Sequence, residues 1–155
     1  MESKEILSLY SNKSLQEWLR NNLEDGQRAR VFGTQLTKYY NANKKVWIDV
    51  YHNTTVTQLS FIPSTQWVLV PSANQMELYI SEFCSRNKLV WSYVLRGLDQ
   101  HLIEIYNNNF DLIYATIEDS NTKSTTCEKS RMIAMNWIVK TAAKTNKYRS
   151  VVVAS

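Results

Sequence analysis

The sequence predicts an α+β fold, with a mostly antiparallel sheet covered on one face by two or three helices and a single compact domain spanning residues 1–155. Three observations lead there. Apolar residues at helical spacing recur in three stretches, each opened by a capping-box pattern. Between them lie short alternating or continuously apolar runs bounded by Pro, Asn or Gly, as strands are. These elements come as helix, strands, helix, strands, helix, without the strand–helix alternation of a doubly wound parallel sheet. A length of 155 residues, 44% hydrophobic and 21% charged, supplies a core and excludes a disordered chain.

Each element follows from local pattern. Residues 2–10 suit a short helical lead-in. Ser14-Leu-Gln-Glu17 reads as a capping box, after which Leu15, Trp18, Leu19 and Leu23 share a helical face until Asp25-Gly26 stops the helix. Arg28 to Phe32 suits a strand, and Thr34 to Asn41 either a helix or an extended polar arm. Lys45 to His52 alternates strictly, so it is a strand ending in a turn at Asn53-Thr54. Val56 to Ile62 and Gln66 to Val70 are further strands, punctuated by Pro63 and Pro71. Ser72-Ala-Asn-Gln75 opens a helix to about Arg86, with Met76, Tyr79, Ile80, Phe83 and Cys84 on one stripe. Leu89 to Leu95, a nearly continuous apolar run, is expected as a buried strand. His101 to Tyr106 and Phe110 to Ile117 form a hairpin across Asn107-Asn108-Asn109, because Asn tolerates positive φ. After a polar loop at 118–124, Thr125-Thr-Cys-Glu128 opens a last helix to about Thr145, and Val151 to Ala154 is a short strand or tail.

Charge is unevenly placed. Residues 26–48 carry five bases and no acid, and residues 120–155 carry seven bases against Glu128 alone. The two blocks are net +5 and +6 in a chain of net +4, so the remainder is net −7. Two basic blocks on an acidic body point to a polyanionic partner. The candidate contacts are Arg28, Arg30, Lys44, Lys45, Lys129, Lys140, Lys144, Lys147 and Arg149, with Trp137 as the aromatic partner. On the last helix, Cys127, Met132, Ala134, Met135, Ile138, Val139 and Ala142 form an apolar arc. The opposite arc mixes Trp137 and Ile133 with Lys129, Asn136, Lys140 and Lys144. Trp137 is therefore either packed beneath a loop or tail or presented for stacking among lysines.

Catalytic chemistry finds little support. Three glycines, Gly26, Gly33 and Gly97, are too scattered for a phosphate-cradling loop or nucleophile elbow. His52, His101, Cys84 and Cys127 lack the close spacing of zinc ligands, so neither a metal nor another cofactor is expected. Cys127 lies in the first turn of a helix, where a thiolate is favoured, but on an apolar arc, where it is not. Asp111, Glu118, Asp119 and Lys123 are the residue types a divalent-metal nuclease uses, without the Glu-x-Lys spacing on one strand. No catalytic residue is assigned.

The N-terminal residues hold no apolar signal-peptide core, so an intracellular, non-secreted protein with reduced cysteines is expected. No apolar run reaches membrane-spanning length. The glycine-poor, Asn-, Tyr- and Trp-rich composition points to an A/T-biased genome, viral or parasitic. The function expected is non-enzymatic binding of nucleic acid, RNA or single strands ahead of a duplex. The alternatives are a peripheral membrane or matrix-like assembly protein that binds anionic lipid and self-associates into a homo-oligomer, and third the nuclease-like enzyme.

Overall fold

Asn12 starts the first helix, α1 (Lys13–Asn21), by holding an extended backbone while its side chain accepts the Leu15 N–H at 3.0 Å. The cap thus lies two residues before the expected Ser14, which is exposed within the helix with Glu17. Leu15, Trp18 and Leu19 are buried as their spacing requires. Asn22 closes the helix by donating its side-chain amide to the Trp18 carbonyl at 2.8 Å. The computed structural model describes residues 12–31, 37–49, 54–56, 67–96, 100–116, 127–144, 147–149 and 151. The lead-in helix at 2–10, the strand expected at 56–62 beyond Val56, the polar loop at 118–124, the cap at Thr125 and the tail at 151–154 beyond Val151 lie outside them. The described residues fall into two compact units, one up to Ser72 and the other from Ala73 to Val151.

The first unit holds α1 and a five-stranded antiparallel sheet built from β1 (Arg28–Val31), β2 (Thr37–Asn41), β3 (Val46–Asp49), β4 (Thr54–Val56) and β5 (Trp67–Val70), in the order β4-β3-β2-β1-β5. The stretch expected as a helix or polar arm at 34–41 is strand β2 over Thr37–Asn41. Its pairing with both β1 and β3 provides what its own polar sequence does not advertise. Register places Ala29, Tyr40, Trp47 and Leu69 on one face, where Ala29, Trp47 and Leu69 are buried. Two glutamines complete the sheet. Gln16 of α1 accepts the Leu69 N–H at 2.8 Å and donates to the Leu69 carbonyl at 3.0 Å, and Gln27 donates to the Val70 carbonyl at 2.7 Å. Both are buried, and these bonds engage both ends of the Gln16 amide and the amino end of the Gln27 amide. Gly26, at φ +80°, makes the turn before β1 and donates its N–H to the Tyr40 carbonyl at 2.8 Å.

The second unit runs α2 (Ala73–Arg86), a meander of β6 (Val90–Arg96), β7 (Gln100–Tyr106) and β8 (Leu112–Ala115), then α3 (Cys127–Lys144). The expected stripe of α2 is buried throughout, as are Ile103 and Ile105 of β7 and Met132, Ala134, Met135 and Ile138 of α3. β6 is not the buried strand expected at 89–95: it is an edge strand of the three-stranded sheet, and its Val90 and Leu95 are 55% and 56% exposed. Its Trp91 donates its indole N–H to Ser81 of α2 at 3.0 Å, and Thr116 accepts the Ile103 N–H at 3.0 Å. The hairpin forms where the three asparagines predict it, but the residue at positive φ is Phe110, at 63°. Asn107 instead uses its side-chain oxygen to accept the N–H groups of Asn109 and Asp111, each at 2.9 Å.

The architecture is α+β: all pairing among the described strands is antiparallel, shared between a five-stranded and a three-stranded sheet, with three described helices. No helix among the described residues is long and apolar enough to cross a membrane.

Candidate nucleic-acid interface

In the first unit, β1 places Arg28 and Arg30 on the sheet face opposite to buried Ala29. Arg28 stands directly across from Tyr39 of β2, which in turn faces Ile48 of β3. Arg28 is exposed and Tyr39 is 38% exposed, so this end of the face presents a guanidinium beside a phenol ring. Beyond Asn41 the chain turns through Ala42–Lys45. Asp25 accepts the Ala42 N–H at 3.0 Å and Asn41 accepts the Lys44 N–H at 3.1 Å. Lys44 and Lys45 are both exposed on this turn, and Lys45 is held at φ 53°. The register therefore brings Arg28, Tyr39, Lys44 and Lys45 to one end of one sheet. Tyr39 is absent from the sequence-derived set because its alternation partners Lys38 and Tyr40 disguise the strand that exposes it.

In the second unit the sequence-derived residues scatter. Lys129 is half-buried on α3, Lys140 is exposed, and Lys144 ends the helix with its side chain outside the described residues. Trp137 is half-buried in a ring cluster. It stacks on Tyr114 with centroids 4.4 Å apart and planes 11° from parallel, and it meets Phe83 edge-on at 6.0 Å. Its distance to Tyr148 is 6.2 Å. One face of the indole is thus occupied within the protein, and packing explains the tryptophan that the helical pattern left among lysines. Arg131, also on the basic block, is paired with Glu77 of α2 and lies 5.1 Å over the Tyr93 ring.

Lys147 and Arg149 lie after α3. The side chain of Asn87, just past α2, accepts the Arg149 N–H at 2.6 Å and donates to the Arg149 carbonyl at 2.8 Å. Lys147 places its ammonium 5.5 Å from the centre of the Tyr148 ring. The Asn87 tie brings Lys147 and Arg149 to Arg86 and Lys88, two exposed cations that belong to neither basic block of the sequence.

The residues considered for catalysis and metal binding lead elsewhere. His101 hydrogen-bonds through Nδ1 to the Tyr93 hydroxyl. Cys84 is a buried free thiol whose pKa is pushed up to about 12 by burial, which makes it a poor nucleophile. Asp111 accepts from the Asn107 amide at 3.1 Å within the hairpin. His52, Glu118, Asp119 and Lys123 lie outside the described residues, as does the Cys127 side chain. Among the described residues no group of three or more His, Cys, Asp or Glu is placed to hold a metal ion. Comparison with family models, curated proteins and solved structures gives no match for this chain.

Proposed function

We propose that this chain is a non-enzymatic nucleic-acid-binding protein whose ligand is RNA or another single strand. The observation that carries the reading is the Arg28–Tyr39 cross-strand pair, both residues exposed, with Lys44 and Lys45 on the adjoining turn. A single strand offers unstacked bases to an aromatic ring and phosphates to nearby cations, and this surface supplies both. Its stacking residue is Tyr39, since the Trp137 ring is engaged by Tyr114. Anionic lipid is the competing ligand for the same cations. Lipid insertion would want large apolar side chains beside them, whereas the exposed ring described beside Arg28 is the phenol of Tyr39.

The test is fluorescence anisotropy with a labelled oligouridylate. Tyr39→Ala should weaken binding by about 1–3 kcal/mol, the worth of one stacked base, while Tyr39→Phe retains most of it. Lys44→Gln with Lys45→Gln should flatten the salt dependence by about 0.7 for each phosphate that the protein no longer neutralises. Unchanged affinity in Tyr39→Ala, or a wild-type protein that ignores the oligonucleotide, would end the proposal.

A further inference from the structure

We infer that the C-terminal end of α2 is a second phosphate-binding surface for a polynucleotide strand, formed by Arg86, Lys88, Lys147 and Arg149. The inference shares its ligand class with the preceding reading but rests on different residues.

One observation supports it, and a second shows how the surface is held. The first is the tie. Arg86 and Lys88 flank Asn87, and Asn87 grips the backbone of Arg149 through both ends of its amide. Residues 62 positions apart are thereby held within hydrogen-bond reach, and the four cations around them are all exposed. Glu82, one turn before Arg86 on α2, is the nearby acid along the helix, so the cations outnumber it. Such a concentration of positive charge attracts a polyanion and releases its counterions on contact.

The second is the backbone at Lys88. The helix ends in a Schellman turn, in which the Leu89 N–H reaches back to the Cys84 carbonyl at 2.8 Å. Leu89 is buried against the unit, fixing the turn in place. The residue between, Lys88, sits at φ 54° in the left-handed region. Glycine is the usual occupant there because any Cβ is strained. A lysine at this position is conformationally unfavourable, so the turn holds it only because the surrounding structure fixes it there. Here it fixes an ammonium stem on a rigid cap beside three other cations.

That strain makes the test robust against simple misfolding. Lys88→Gly removes the charge while relaxing the backbone, so its melting temperature should hold or rise by about 2 °C. Its salt slope for labelled oligouridylate should fall by about 0.7, and by about 1.4 when combined with Arg86→Gln. If Lys88→Gly and Arg86→Gln keep the wild-type slope while Lys44→Gln with Lys45→Gln flattens it, this surface is ruled out and the sheet face stands. If only the α2-end variants flatten it, the surface stands and the sheet face falls. A protein that binds no oligouridylate overturns both. Capture by phosphatidylserine vesicles that is abolished in Lys88→Gly, without oligouridylate binding, would reassign the cations to a lipid surface. A lower melting temperature for Lys88→Gly would refute the strained cap.

Discussion

Single residues set the strongest tests of packing. Trp18 is 2% exposed, so Trp18→Ala should cost about 3–5 kcal/mol, the usual loss for a large aromatic in a core. Trp137 is half-buried but stacked on Tyr114 and set edge-on to Phe83, so Trp137→Ala should cost about 2–4 kcal/mol. Urea unfolding measures both. A loss under about 0.5 kcal/mol at position 137 would identify an exposed residue instead. Lys45, like Lys88, occupies left-handed backbone, at φ 53°. Lys45→Gly should therefore raise stability by about 0.5–1 kcal/mol in the same measurement.

At the scale of elements, the β7–β8 hairpin is the most constrained turn in the second unit. Asn107 engages the backbone of Asn109 and Asp111, and Phe110 takes the left-handed position with its ring in solvent. Phe110→Gly should stabilise the hairpin by about 1 kcal/mol, read as a higher urea midpoint. The elements also show where sequence pattern suffices. The α2 stripe was legible because Met76, Tyr79, Ile80, Phe83 and Cys84 recur at helical spacing and all bury. β2 was not, because Thr37–Asn41 sets its two tyrosines side by side after a single lysine and so shows no apolar alternation. Its strand state comes from β1 and β3 on either flank. The α1 cap was misplaced because Ser14 and Glu17 imitate a capping box, whereas Asn12 meets the N–H of Leu15 directly. Of the candidate site, Arg28, Lys44 and Lys45 were legible as charge. Tyr39 was hidden with its strand, and Arg86 and Lys88 were hidden because only the Asn87 tie joins them to Arg149.

At the scale of the whole molecule, two buried groups of the second unit are sensitive to alkali. Burial raises the pKa of Cys84 from 9.0 to about 12, and burial with the Glu82 charge raises that of Tyr79 from 10.0 to about 12. Both groups stay neutral in the folded protein while the unfolded chain would already ionise. Stability from them is therefore complete below pH 9 and is lost as pH climbs towards 12. With the intrinsic base-catalysed rate divided out, amide protection in α2 and β6 should fall above pH 9 before that of β1 and β5. Cys84→Ala and Tyr79→Phe should each shift that onset to higher pH. Equal loss of protection in all four elements would count against this assignment.

Gln16 has a consequence for many molecules together. Its amide stands where a neighbouring strand would, occupying both outward groups of Leu69 on the last strand of the five-stranded sheet. Without it, β5 would offer a bare N–H and carbonyl to any extended segment that approached. The side chain thus blocks strand addition at this edge as well as bonding α1 to β5. Gln16→Ala should raise thioflavin fluorescence with a lag that shortens steeply as protein concentration rises, at temperatures where most of the protein is still folded.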